Sequence, residues 1–305
     1  MPTQPGYRYR RSAVTEARHG QDRVVAVRRR PRRKLIGTLV VILLLVPAAL
    51  LAGKSLFTTA TGTVPDPELA AESPVPTTPA LNPNDPFDGT PASTYTPADQ
   101  GITLPAPTKT GKWSSKDVGA VLTKTKTVLL AARTDPTVLG GDPSTYVDAL
   151  APNVRAQVKK EIVSGKDTLG YVTNLGAGYS LGAPIRAVGS LTVTAGSLDQ
   201  LVVRSDVVWV YPLKGPLPEA SKGAGVRLVV LHTVESYEWF PAKGFADEDQ
   251  GARPGEGERA VFNADCPKYL QGALALPETP VKDPIEGNEA VFVATTPLTS
   301  FPTGC

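Results

Sequence analysis

Two polar side chains in the C-terminal half of the chain have the types needed for acid–base chemistry. His232 lies within the apolar run 230–234, and Asp206 lies in the apolar stretch before it. Because side chains alternate along a strand, His232 would share a face with Val230 and Val234. An imidazole titrates near neutral pH, and a carboxylate on the neighbouring strand would orient its ring. The pair is a candidate for acid–base catalysis, and a buried histidine bonded to a neighbour is the alternative interpretation.

Residues 178–182 spell G-x-S-x-G, the pattern of a hydrolase nucleophile elbow. An elbow needs a strand before it and a helix after it, whereas here Ala183 and Pro184 lead into a predicted strand. We therefore interpret the pattern as part of a glycine-rich loop. The chain has two histidines, at positions 19 and 232, which are too few for a multi-histidine metal site. Neither a metal nor a cofactor is expected.

The two cysteines, Cys266 and Cys305, both lie near the C-terminus. Outside the cytoplasm such a pair usually forms a disulfide. The bridge would close a loop of roughly 40 residues, which the chain-entropy model equates with about 4 kcal/mol. We predict this disulfide, with free thiols or an intermolecular bond as alternatives.

The charge of the chain is unevenly distributed, although its net value is only +3. Residues 1–34 contain ten Arg and one Lys against two carboxylates, which gives a local charge of +9. The nineteen residues 35–53 carry no charge, and as a helix they would extend about 28 Å, close to the ~30 Å hydrocarbon core of a bilayer. Basic flanks stay on the cytoplasmic side. We predict a single-pass cell-membrane protein with a basic cytoplasmic tail (1–34), a transmembrane helix (35–53) and an extracytoplasmic remainder.

Other interpretations of the basic tail and the apolar run are less favoured. A cleaved export signal is the main alternative for the run, but its basic region is longer than usual and no good small-x-small site follows it. Nucleic-acid binding is not expected, because the excess charge adjoins an apolar run. Attraction of the basic flank to anionic lipid explains why the excess positive charge lies next to the apolar run.

Residues 54–112 are predicted to be a linker. Positions 55–112 contain eleven Pro and twelve Thr, a composition that buries too little apolar surface to offset chain entropy. We expect an extended, disordered Pro/Thr-rich stalk that holds the following domain away from the bilayer.

The globular domain is predicted over residues 113–305. Helical spacing of apolar residues begins after Ser114 and ends at Asp135, and two shorter helices follow it. Further on the period falls to two and β-branched residues dominate, which is typical of strands. Helices first and strands afterwards predict an α+β fold, with N-terminal helices packed on a curved antiparallel sheet. The predicted helices cover about 115–133, a short segment after Asp142, and 152–165; the predicted strands cover 185–194, 200–213, 226–240 and 289–295.

The order of these elements resembles the NTF2-like superfamily of cone-shaped α+β domains. The similarity covers about residues 113–240 and includes the turn at Gly141-Asp142 and the short helix near residues 146–152. In layout, with one membrane helix before the domain, the chain is similar to bacterial membrane proteins that accompany Mce transport systems. The resemblance implies the fold, whereas the superfamily contains both enzymes and non-catalytic modules. Residues 241–305 depart from the pattern as an added tail, in which the acidic stretch 247–258 is predicted to be a solvated loop.

From these observations we expect a non-catalytic interaction or accessory module outside the membrane. It would contact the bilayer through residues 35–53 and the basic flank, and it would have an envelope protein as partner. Two alternatives stay open at this stage. One is an NTF2-like enzyme that uses His232 with Asp206, and the other is a transmembrane signalling protein.

Overall fold

The computed structural model of the chain describes residues 7–11, 81–82, 84–165 and 167–301. The predicted membrane segment, residues 35–53, lies outside these ranges. Among the described residues, none of the helices combines the length and the apolar character needed to cross a bilayer.

One sheet organises the described part of the chain. Its long central strands are antiparallel neighbours, and the strand order is β1-β8-β7-β6-β5-β2, with β3 added beside β5 and β4 beside β6. The strands are β1 (Tyr7–Arg11), β2 (Thr96–Pro97), β3 (Ile102–Thr103), β4 (Ser180–Leu181), β5 (Arg186–Ala195), β6 (Leu201–Lys214), β7 (Leu228–Trp239) and β8 (Arg253–Phe262).

Helices pack on one face of this sheet, so the fold is α+β as predicted. The apolar cluster on that face joins helical residues such as Leu129 and Val158 to strand residues such as Trp209 and Leu231. The helices are α1 (Ala98–Gly101), α2 (Ser115–Thr134), α3 (Pro136–Leu139), α4 (Ser144–Asp148), α5 (Pro152–Val163), α6 (Thr168–Tyr171) and α7 (Cys266–Leu270).

Helix α2 follows the predicted pattern closely. The Ser114 side chain accepts a hydrogen bond from the Asp117 backbone N–H at 3.2 Å, which caps the first turn. Its buried residues recur three and four positions apart, and Thr125 accepts a hydrogen bond from the Trp239 indole N–H at 3.0 Å. This bond ties the helix to the end of β7.

Two segments, residues 84–103 and 285–301, cover the second face of the sheet. A second apolar cluster joins Val208 and Val230 to Phe87 on one side and to Phe292 on the other. Residues 84–103 therefore belong to the globular domain, which begins well before the boundary predicted at residue 113. Burial of Phe87 and Ala92 against the sheet is the reason, because composition alone does not show where a proline-rich segment finds an apolar surface.

Two predictions about the C-terminal region were wrong. Residues 289–295 do not form a strand: Glu289–Phe292 is a 3₁₀ turn whose Val291 and Phe292 point into the second cluster. The acidic stretch 247–258 is not simply a solvated loop, because its second half begins strand β8, which pairs with β7. That strand was not recognised from the sequence because glycines and charged residues replace the usual alternation of apolar and polar residues. Its Arg259 is buried in an ion pair with Asp167 at 2.9 Å.

The two covering segments are joined by a tyrosine. The Tyr95 hydroxyl donates a hydrogen bond to the Phe292 carbonyl oxygen, and burial raises the pKa of Tyr95 to about 12 from its usual 10.0.

This shifted pKa predicts a loss of stability in alkali. A raised folded-state pKa contributes stability that is complete below the unfolded-state value and is lost as pH rises through the folded-state value. The free energy of unfolding should therefore fall between about pH 10 and 12. Tyr95→Phe should lose about 1 kcal/mol at pH 8 but show a shallower alkaline decline, measured by urea unfolding across pH 8–12. Equal alkaline slopes for the two proteins would contradict the assignment.

Candidate functional site

The structure brings His232 and Asp206 together, on the second face of the sheet. His232 on β7 lies directly opposite Val208 on β6, and Asp206 is two residues further along β6. This diagonal position is within reach of a long side chain. The His232 Nε2 and an Asp206 carboxylate oxygen are 2.7 Å apart, so the predicted pairing of these two side chains is present.

The histidine is sealed from solvent by the covering C-terminal segment. Its side chain is 2 % exposed, whereas that of Asp206 is 42 % exposed. The Phe301 ring lies edge-on to the imidazole at 5.8 Å. A small void of about 10 Å³ lies beside the ring. Its other lining side chains are all apolar: Val230, Ala260, Val261, Phe262, Val291 and Phe301.

A space of this size holds at most one water molecule. The His232 Nδ1 also has no hydrogen-bond partner among the described residues. Among the described residues, Asp206 is the polar side chain that reaches the ring, so the arrangement is that of a buried histidine oriented by a half-exposed carboxylate.

If the contact between His232 and Asp206 serves stability, replacement of Asp206 should destabilise the domain. Asp206→Ala should lower the free energy of unfolding by about 1–3 kcal/mol, because it leaves both nitrogens of a buried imidazole without a partner. Asp206→Asn keeps a polar group at the same place and should lose less. Denaturant unfolding of the two variants checks this, and a loss below about 0.5 kcal/mol for Asp206→Ala would show that the 2.7 Å contact contributes little.

The G-x-S-x-G pattern does not form a nucleophile elbow. Ser180 and Leu181 form the short strand β4, which pairs with Lys214 and Leu213 of β6. The Tyr179 hydroxyl donates to the Pro216 carbonyl oxygen at 3.0 Å. The pattern therefore belongs to a loop that lies along the end of β6, as the sequence context indicated.

A buried polar network on the helix-covered face was not found from the sequence. The Arg133 guanidinium at the end of α2 is 0 % exposed and forms an ion pair with Glu235 of β7, which is 3 % exposed. Arg133 also donates to the Leu169 carbonyl oxygen at 3.1 Å, and the Tyr211 hydroxyl lies 2.9 Å from the Thr173 hydroxyl. The network lies between the helices and the sheet, within the apolar cluster of that face.

Burial and charge act in opposite directions within this network. Burial is the largest single influence on the pKa of Arg133 and lowers it, but the negative charge of Glu235, the neighbouring Tyr211 and Tyr237, and the hydrogen bond to Glu235 together outweigh burial, so the pKa is raised. Burial raises the pKa of the Tyr211 hydroxyl, so this group stays neutral. A signal for the network existed in the sequence, because Glu235 shares the strand face of Leu231 and Tyr237, where a charge requires a partner.

Cys266 begins helix α7, after Asp265, whose carboxylate accepts the Lys268 backbone N–H at 2.8 Å. Cys266 is disulfide-bonded. Cys305 lies outside the described residues, so the pairing of Cys266 with Cys305 stays a prediction. Within the described ranges no group of three His, Cys, Asp or Glu side chains is placed to hold a metal ion.

A larger recess lies away from the histidine, at the end of β6 and β7. It has a volume of about 530 Å³, and the ionisable side chains that line it are Lys214 and Arg227. Both are cations, so this recess offers no acid–base pair.

The fold and the buried pair define an α+β domain that is packed on both faces of its sheet. Compared with known proteins, the chain matches no family model, and neither a curated protein nor a solved structure shows significant similarity to it.

Proposed function

We propose that the protein is a membrane-anchored interaction module whose extracytoplasmic domain works without catalysis. The observation that carries the non-catalytic part is the burial of His232, which is 2 % exposed beside a void of about 10 Å³. A general acid or base must come within hydrogen-bond reach of a substrate, and the covering segment with Phe301 blocks that approach.

The interior of the domain supports the same proposal. In a cone-shaped NTF2-like enzyme, the space between helices and sheet would be the natural substrate cavity. Here that space contains the Arg133–Glu235 ion pair and the Tyr211 hydroxyl, all buried. The proposed domain is a non-catalytic one of NTF2-like type. The signalling alternative concerns residues 1–34, of which the structure describes Tyr7–Arg11 alone.

The anchoring part of the proposal rests on residues 35–53 and their basic flank. An uncharged nineteen-residue run is long enough for the hydrocarbon core, and the eleven cations before it favour a cytoplasmic N-terminus.

In the structure, β1 pairs with β8. A chain with residues 35–53 across the bilayer would place β1 and β8 on opposite sides, so the anchored form would lack this pairing. The two arrangements are therefore distinguishable by experiment.

Cysteine labelling of intact cells tests the topology. Ser12→Cys reports on the basic tail, and Ser197→Cys reports on an exposed position in the β5–β6 turn. A membrane-impermeant maleimide should label Ser197→Cys directly and Ser12→Cys only after permeabilisation. The wild-type chain is the control for background labelling, since it has no free cysteine among the described residues.

Labelling of Ser12→Cys in intact cells would overturn the proposed orientation. Recovery of the protein in the soluble fraction after an alkaline carbonate wash would overturn the anchor itself.

A further inference from the structure

The recess at the end of β6 and the start of β7 has the size of a small-molecule site. Its volume is about 530 Å³, within the range of roughly 300–1,000 Å³ that is typical of ligand pockets. Lys214, the last residue of β6, and Arg227, the residue before β7, both line it. Asn84 and Pro86 of the covering segment 84–103 line it as well. Two separate parts of the domain therefore form the recess, and it has room for more than a single ion.

The charged side chains that line the recess are both positive. Lys214 and Arg227 are exposed, and among the described residues no carboxylate forms an ion pair with either of them. Arg227 donates to the Gly215 carbonyl oxygen at 3.4 Å, which uses one of the five N–H donors of a guanidinium. Asp85 does not line the recess, and its carboxylate accepts the Phe87 backbone N–H at 2.9 Å. The two positive charges are therefore available to an anion.

Apolar surface accompanies the two cations. Pro86, Pro212 and Leu213 line the same recess. An inorganic ion would leave this surface in contact with water, whereas removal of apolar surface from water is favourable. The recess therefore suits an anion that carries an apolar group.

Two cations match a phosphate better than a carboxylate. A phosphate monoester carries a charge of about −1.5 to −2 at neutral pH and has three acceptor oxygens, whereas a carboxylate carries one charge on two oxygens. A guanidinium binds phosphate through two parallel hydrogen bonds, and lysine binds it as a point charge. One phosphate group can thus neutralise Lys214 and Arg227 together.

We infer that this recess binds an organic phosphate monoester. The phosphate lies between Lys214 and Arg227, and the apolar part of the ligand packs on Pro86, Pro212 and Leu213. Soluble molecules and anionic lipids both carry this group, and the experiment below separates the two sources. The inference goes beyond the proposed function and does not depend on the anchor, because every residue involved lies in the described domain.

Fluorine NMR with para-fluorophenyl phosphate tests the site. The probe is titrated with the full chain in a non-ionic detergent, and its chemical shift and line width report binding. We expect a dissociation constant on the order of 1 mM or below, as befits a small ligand in an open recess. The control ligand, para-fluorobenzoate, has the same ring but a single charge, and should bind about two- to fivefold more weakly.

Variants of the two cations assign the binding to the recess. Lys214→Gln and Arg227→Gln should each weaken binding of para-fluorophenyl phosphate about two- to fivefold, and the double variant about four- to twentyfold. Lys222→Gln is the matched control, because Lys222 is an exposed lysine of the same β6–β7 connection that does not line the recess. It should leave the affinity unchanged. The basic segment 1–34 is common to all these chains, so its attraction for anions does not produce a difference between them.

A pair of competitors identifies the source of the phosphate. Short-chain phosphatidic acid and glycerol phosphate carry the same phosphate group with and without acyl chains. Stronger displacement of the probe by phosphatidic acid assigns the recess to a lipid headgroup, and equal displacement assigns it to a soluble organic phosphate. Phosphatidylcholine of the same chain length has a phosphate diester beside a cation, and should not displace the probe.

Several results would overturn the inference. One is the absence of probe binding at concentrations up to about 10 mM, and another is equal affinity of the wild-type chain and the double variant. Equal affinity for para-fluorobenzoate would overturn the preference for a dianion, and displacement by phosphatidylcholine would reduce the effect to apolar contact. None of these results bears on the anchor, which the labelling of Ser12→Cys decides.

Discussion

Replacement of Glu235 by alanine is expected to lower the free energy of unfolding by about 3–5 kcal/mol. The change leaves the Arg133 guanidinium, which is 0 % exposed, charged and without its carboxylate partner. Desolvation of an unpaired buried charge is among the largest penalties that a single substitution introduces. Denaturant unfolding under non-reducing conditions, with the disulfide of Cys266 intact, measures the loss.

Two further variants separate the ion pair from the strand that carries it. Arg133→Met with Glu235→Leu removes both charges and should recover most of the stability, because apolar pairs of similar volume replace buried ion pairs at little loss. Glu238→Ala changes a half-buried acid on the same strand and should alter the free energy of unfolding by no more than about 0.5 kcal/mol. A loss below about 1 kcal/mol for Glu235→Ala would contradict a buried, energetically coupled pair.

Phe292→Ala is expected to have the second large effect, about 3–5 kcal/mol. Phe292 is 1 % exposed and belongs to the cluster that covers the second face of the sheet. Its backbone carbonyl also accepts the Tyr95 hydroxyl. Loss of the ring removes buried apolar area and loosens the segment that shields His232.

The neighbouring residue provides the control for this prediction. Val293 is 48 % exposed, and Val293→Ala should change the free energy of unfolding by less than about 0.5 kcal/mol. Phe292→Ala should in addition increase the binding of an apolar dye, because Val208 and Val230 lie beneath the segment. If the two variants were equally stable, the C-terminal segment would not be an integral layer of the domain.

Local sequence patterns were sufficient for the long helix and for three of the long strands. Helix α2 was expected over about 115–133 and spans Ser115–Thr134, and the strands expected over 185–194, 200–213 and 226–240 are β5, β6 and β7. These elements have strong periodicity and clear capping or turn residues, so their type follows from short-range physics. The pairing of His232 with Asp206 also followed from strand parity and adjacency.

Other parts depended on contacts between distant residues. Strand β8 has glycines and charged residues in place of alternating apolar and polar residues. It is stabilised by its hydrogen-bonded pairing with β7 and by the buried Arg259–Asp167 ion pair. Residues 84–103 have the composition of a linker and residues 289–295 have the pattern of a strand, yet both segments are irregular covers that bury Phe87 and Phe292 on the sheet. Neither the partner of Glu235 nor the sealing of His232 is encoded within a local window.

The sequence by itself determined the α+β class, the central helices and strands, and the residue types from which the candidate site is made. Whether those residues have access to solvent was decided only by the tertiary structure. Local spacing sets which face of an element a side chain occupies, but what covers that face depends on segments more than fifty residues away. For His232 that cover is the C-terminal segment with Phe301, and it makes the histidine a packed residue instead of an accessible acid or base.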